Sequence, residues 1–270
     1  MPCRLDEIGA RHWNVLAGDL PFPIALLRDS ALRHNIAWMQ EFARARGIDI
    51  APHGKTTMSP ELYRRQLDAG AWGISFATVY QLAVGAEAGV TRSLIANQVV
   101  CDADLDGLSA LLREYPALRA WFLVDSVAQV RLIEAWRAQR QDPAVFDCLL
   151  EIGIPGKRTG CRTTDDALAV AVAIHASPAL RLGGIECYEG SVAQGDSEHD
   201  RREVDALMQR VVDAALGCDR AGFFANDEVL MTAGGSALFD LVTDGLKPRL
   251  AKPVRGILRS GCYVAHDHGS

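Results

Sequence analysis

Apolar residues along this chain fall in short blocks separated by amphipathic segments, and the two alternate with little interruption. Within the blocks apolar side chains occupy successive positions rather than every second one, as strands covered on both faces do. The blocks lie at 23–27 (PIALL), 48–52, 73–77, 93–96, 118–124, 146–152, 182–188 and 228–232. Between the first two, the segment 31–46 puts Leu32, Ile36, Met39 and Phe42 on one helical face, with Ser30 as an N-cap and Gly47 to end it. Further helices are predicted over 61–69, 79–88, 104–114, 126–137, 164–176 and 197–217, and residues 1–20 read as an extension without a clear period.

Eight short strands alternating with helices predict a TIM (β/α)8 barrel of α/β class over residues 21–253. The rival is an open doubly wound sheet, which usually has fewer strands and often a GxGxxG turn that this sequence lacks. After Pro253 the pattern changes, and 257–258 and 262–264 read as strands that begin a further, incomplete β domain at 254–270.

The length of 270 residues suits one such barrel, which needs roughly 250. Hydrophobic residues make up 49% and charged residues 23%, an ordinary globular balance. The net charge of −6 comes from interspersed acids and bases, with no basic stripe for a phosphate backbone, so nucleic acid is not expected as a partner. No window approaches the roughly 20 apolar residues of a membrane span, and residues 1–15 lack the apolar core of a signal peptide. Seven cysteines, scattered and without CxxC spacing, argue against a zinc ribbon or disulfide framework. A reduced, cytoplasmic chain is expected.

Barrel sites lie at the carboxyl ends of the strands. Those ends carry His53 and Lys55, Thr78, Asn97 and Gln98, Asp125, Glu151, Tyr188 and Glu189, then Thr232 with Gly234, Gly235 and Ser236. The stretch 51–60 (APHGKTTMSP) stands out. Pro52 removes a backbone donor and Gly54 loosens the chain, so pairing stops here. If the strand persisted, His53 and Lys55 would share a face. The run 232–236 (TAGGS) sets two glycines after a strand and before a helical start, where barrels bind phosphate. A strand-end lysine plus such a cup suits pyridoxal phosphate, whose aldehyde condenses with lysine. On these residues alone, a solvated loop lysine and a tight glycine turn remain alternatives. The glycine-rich loop 153–160 (GIPGKRTG) holds Arg158 but lacks P-loop spacing.

Six motifs, in order, carry a resemblance: PHGKT at 52–56, ANQVV at 96–100, RTG at 158–160, GIECYEG at 184–190, TAGGS at 232–236 and RSGCY at 259–263. From about Leu20 onward the chain resembles the fold type III pyridoxal-phosphate enzymes of the D-threonine aldolase and D-serine dehydratase branch. It is nearest the bacterial amino acid deaminase, or cryptic D-serine dehydratase, group. The resemblance implies a barrel of alanine-racemase N-terminal type and a homodimer. Lys55 would be the Schiff-base lysine and the base for the Cα proton, supported by His53. Gln98 would approach the cofactor ring, Arg158 its phenolic oxygen and Tyr188 its ring nitrogen. Gly234, Gly235 and Ser236, in one segment with Thr232 and joined by Gly261 and Cys262, would cradle the phosphate. Burial of Lys55 beside positive charge is expected to favour its neutral form. The implied reaction is deamination of a D-3-hydroxy amino acid by Cα proton removal and β-elimination. The alternatives are retro-aldol cleavage to glycine and an aldehyde, or a non-catalytic barrel or inactive homologue.

Family members continue with a β domain holding a divalent metal, zinc or manganese, on a His-x-Cys or His-x-Asp pair. This sequence stops at His266-Asp267-His268-Gly269-Ser270, ahead of where those ligands are expected, so either a truncated chain or a protein that has lost that domain is expected. No metal ligand is assigned. His266 and His268 read as site-lining or tail residues.

Overall fold

The apolar blocks become a ring of parallel strands because helices cover them outside and their own side chains fill the inside. A computed structural model describes residues 3–195 and 197–265. The strands are β1 (Asp49–Ile50), β2 (Ile74–Phe76), β3 (Arg92–Gln98), β4 (Arg119–Val124), β5 (Phe146–Ile152), β6 (Leu180–Cys187), β7 (Val229–Ala233) and β8 (Val254–Leu258). They pair in parallel in the order β1-β8-β7-β6-β5-β4-β3-β2. Between β1 and β2 the ring is joined by Trp72 N–H to Ile50 O at 2.9 Å and Ser75 N–H to Pro52 O at 3.0 Å, with a parallel bridge between His53 and Ser75.

Helix α1 (Asp29–Ala45) precedes β1. Helices α2 (Pro60–Asp68), α3 (Val79–Glu87), α4 (Asp102–Glu114), α5 (Val127–Arg140), α6 (Thr164–Ala176) and α7 (Ser197–Arg220) follow β1 to β6 in turn. Their starts are set locally. Thr78 and Ser126 accept the N–H of Gln81 and Gln129, and Thr163 forms a reciprocal capping box with Asp166.

Period two along β4 separates the two cores. Trp121 and Leu123 join Leu94, Leu149, Leu230 and Ile257 inside the barrel, whereas Phe122 and Val124 pack outward among the helices. Each such side chain, fully buried, contributes roughly 1.5–3 kcal/mol of transfer free energy. Among the described residues no helix is long and apolar enough to cross a membrane.

Two expectations are corrected. The apolar run at 23–27 is not a strand: it is irregular and wholly exposed. Its sheet position does not exist, because β1 at 49–50 already sits between β8 and β2. The missing strand is β8, so 254–258 completes the barrel instead of opening a second domain, and Cys262–Val264 is a 3-10 turn. His266, Asp267 and His268 lie outside the described residues.

Candidate active site

A cavity of ≈ 820 Å³ opens at the carboxyl ends of the strands, and most of the candidate residues line it. Lys55 sits in a single 3-10 turn, Gly54–Thr56, just after β1. The shared-face argument for His53 and Lys55 fails, since the strand ends at Ile50, yet the turn brings both side chains to the cavity. Tyr63 of α2 fixes that turn from below, its hydroxyl donating to the Gly54 carbonyl at 3.0 Å. The lysine side chain is exposed, so the burial expected to favour its neutral form is absent.

His53 is held differently. Its Nδ1 lies 3.0 Å from the Ser75 carbonyl, an acceptor that requires the proton on Nδ1 and leaves the Nε2 lone pair outward. Burial, then the neighbouring Lys55 charge, push its pKa down to about 3. The ring is therefore neutral at neutral pH and adds no positive charge beside the lysine.

The floor is a set of enclosed polar groups. Arg259, at the end of β8, donates to Thr232 Oγ1 at 2.9 Å, to the Cys187 carbonyl at 3.0 Å and to Glu186. Glu186 is 1% exposed, its second oxygen has no hydrogen-bond partner, and burial pushes its pKa up to about 8 against the pull of Arg259. Glu151, at the end of β5, accepts from Thr159 Oγ1 at 2.7 Å and from Gln98, and burial raises its pKa as well. A bulge between Ile95 and Gln98 aims the glutamine at Glu151.

Around the mouth, the Arg158 guanidinium lies 5.6 Å from the centroid of the Tyr188 ring, a cation–π contact. The loop after β6 closes one wall: Asp200, 3% exposed at the start of α7, accepts the N–H of Gln194 at 3.0 Å and of Gly195 at 3.2 Å. Gly234, Gly235 and Ser236 after β7 face Ser260, Gly261 and Cys262 after β8 across the remaining side.

Lys55, His53, Arg158, Tyr188, Gly234, Gly235, Ser236, Gly261 and Cys262 thus share one cavity. Gln98 and Thr232 stand behind its surface and act through Glu151 and Arg259. Sequence reasoning did not single out Arg259, Glu186 or Asp200 as site residues. Arg259 was findable by the strand-end rule once β8 is recognised, because it directly follows that strand. Among the described residues no group of three or more His, Cys, Asp or Glu is placed to hold a metal. A second cavity, ≈ 420 Å³, lies at the other end of the barrel beside Trp72, Trp121 and Arg255, and none of these candidates reaches it.

The residues present fit pyridoxal phosphate. A lysine amine and a rim of small residues, two glycines and a serine, face the same space from β1 and β7. Gly190 and Gly235 leave room for the Tyr188 ring where it lies: added Cβ atoms would come within 2.4 Å of its oxygen and 3.0 Å of its Cε2.

Known proteins are similar over the same span. D-threonine aldolase of Arthrobacter sp. is 30% identical over 247 residues, 91% of this chain and 61% of that protein. D-threo-3-hydroxyaspartate dehydratase of Delftia sp. (strain HT23) is 30% identical over 254 residues, 92% of this chain and 62% of that protein. The solved structure of D-threonine aldolase from Filomicrobium marinum superposes with a TM-score of 0.76 at 25% identity, covering 91% of this chain and 62% of that one. The chain spans about three fifths of the length of these relatives. The family model for the alanine racemase N-terminal domain matches residues 28–251, most of the barrel, and the chain belongs to that family.

Proposed function

We propose that this chain is the cofactor-binding barrel of a pyridoxal 5'-phosphate-dependent lyase that deaminates a D-3-hydroxy amino acid to a 2-oxo acid and ammonia. The observation that carries this reading is the placement of Lys55 in one ≈ 820 Å³ cavity with the glycine and serine rim of two other strand ends. The substrate class is supported by the relatives, which are named for D-threonine and D-threo-3-hydroxyaspartate.

Bound pyridoxal phosphate supplies an electron sink for negative charge at the substrate Cα. Lys55 would hold the cofactor's aldehyde end through Nζ, and the same Nζ is the group that would take up the substrate Cα proton. An exposed lysine on a short turn has the reach for both tasks. Neutral His53 lies beside it without competing for the proton. Ser236, Gly261 and Cys262 would hold the cofactor's phosphate and Tyr188 and Arg158 its ring, while Gln98 donates to Glu151 at the cavity.

A second reading, retro-aldol cleavage to glycine and an aldehyde, is favoured by the similarity to an aldolase at the same identity as to a dehydratase. Product analysis separates them. Pyruvate and ammonia from D-serine, with and without added zinc or manganese, is the expected outcome. Glycine and acetaldehyde from D-threonine, with no 2-oxo acid from either substrate, would replace the first reading by the second.

A further inference from the structure

The cavity of ≈ 420 Å³ at the amino end of the barrel takes no part in the reaction above. Its size falls within the roughly 300–1,000 Å³ of small-molecule pockets. Trp72 and Trp121 line it with ring centroids 5.6 Å apart, and Arg92 and Arg119 stand over them. The Arg92 guanidinium lies 6.0 Å from the Trp72 centroid, and that of Arg119 lies 5.4 Å from the Trp121 centroid. The two arginines are register partners on the adjacent strands β3 and β4. Like charges so placed repel, and the sheet holds them side by side.

Other arginines at this end are neutralised. Arg255 donates to Glu228 at 2.6 Å and also to Asp49, and Arg181 grips Asp147 with bonds of 3.0 and 3.2 Å. Arg119 reaches only that same Asp147, already occupied, at 3.4 Å. Among the described residues Arg92 makes no ion pair. The pair therefore brings two guanidiniums and a share of one countercharge to the cavity. The floor adds an unused donor: Trp121 is 6% exposed, and its indole N–H has no hydrogen-bond partner. That nitrogen and the side-chain nitrogen of Asn226 flank Gly183, where a Cβ would lie 2.6 and 3.0 Å from them.

Paired guanidiniums suit the oxygens of a carboxylate, and tryptophan rings suit a flat apolar body. Asp227 and Glu228, on the wall ahead of β7, disfavour a second negative charge. We propose that this cavity is a second ligand site, which takes a small monocarboxylate with a flat apolar body, of the benzoate type. Its carboxylate rests on Arg92 and Arg119, and its body lies against Trp72 and Trp121. The site is at the opposite end of the barrel from Lys55 and does not depend on the cofactor reading.

In 1H–15N spectra of the parent chain, a benzoate titration is followed at the indole N–H signals of the five tryptophans. Saturable shifts at Trp72 and Trp121, with Trp13, Trp38 and Trp136 in place, are the expected result. Benzyl alcohol, a ring without the charge, and inorganic phosphate, a charge without the ring, should each need at least tenfold more. The double variant Arg92→Gln, Arg119→Gln should bind benzoate at least tenfold more weakly, whereas Lys55→Ala should bind it like the parent. Both arginines are exposed, and Asp147 keeps its two bonds from Arg181, so the double variant should fold. The comparison of the three ligands on the parent decides the matter even if it does not. No shift at Trp72 and Trp121, an equal response to benzyl alcohol or phosphate, full affinity in the double variant, or loss of affinity in Lys55→Ala would overturn the proposal.

Discussion

Gly54→Ala is a sharp test of how the lysine turn is supported. An added Cβ would lie 2.7 Å from Phe76 Cε1, 2.9 Å from Ile74 Cγ2 and 3.0 Å from Tyr63 Cε1. Carbon atoms prefer about 3.5–4.0 Å, so three contacts are too short at once. All three neighbours have 0% exposure and none can swing into solvent. Overpacking of this kind costs about 1–3 kcal/mol, against a gain of roughly 0.4–1 kcal/mol from the stiffer unfolded chain. The net loss is about 1–2 kcal/mol, or a fall in Tm of roughly 2–8 °C for a chain of this size. Thermal unfolding by circular dichroism measures it, beside Tyr63→Phe. The Gly54 carbonyl keeps the N–H of Met58 at 2.9 Å when the tyrosine hydroxyl is removed, so that control should lose only about 1 kcal/mol. The core cannot yield toward the helices, so the turn should move toward the cavity and take Lys55 with it, weakening pyridoxal phosphate binding as well. A Tm equal to or above that of the parent, with cofactor binding intact, would refute this account of the turn.

Other outcomes follow from the same contacts. A Cβ at Gly184 would lie 1.9 Å from the Leu230 carbonyl, backbone that cannot step aside, so Gly184→Ala should part β6 from β7 and give little folded protein in far-UV circular dichroism. Asp200→Ala strips the N–H groups of Gln194 and Gly195 of their acceptor, and limited proteolysis should cut the 189–195 wall faster than in the parent. Stability should be greatest at mildly acidic pH. For His53 the folded pKa of about 3 lies below the usual 6.5, so the unfolded chain binds more protons and stability is lost as pH falls from 6.5 toward 3. For Glu186 the folded pKa of about 8 lies above the usual 4.5, so stability is lost as pH rises from 4.5 through 8. Each slope is at most about 1.4 kcal/mol per pH unit. Urea unfolding of the parent, His53→Gln and Glu186→Gln across pH 4–9 should show the acid arm vanish in the first variant and the alkaline arm in the second.

The sequence made most of the barrel legible because its middle strands are covered on both faces and mostly apolar: β5, FDCLLEI, is buried throughout. The ends of the ring were harder. β1 has two residues, and its neighbour β8, VRGIL, interrupts the apolar signal with Arg255 and Gly256. Arg255 belongs at the amino end of the barrel, where it is bonded to Asp49 and Glu228, partners 206 and 27 positions away that periodicity cannot reveal. The block at 48–52 marks β1 all the same, and the exposed run at 23–27, more apolar than β8, takes the place of β8 in the count of eight. At the site, Lys55 was visible through the proline and glycine that stop β1. The tasks of Glu186 and Arg259 were not. They depend on a contact between residues 73 positions apart, and a buried carboxylate looks no different in sequence from a solvated one.

The absorption spectrum of the purified chain mixed with pyridoxal phosphate, beside Lys55→Ala, tests the central claim most directly. A new visible band in the parent that is absent from the variant is the predicted result, and it would tie cofactor and lysine together in this cavity. Identical spectra for the two proteins would contradict the claim that Lys55 holds the cofactor here.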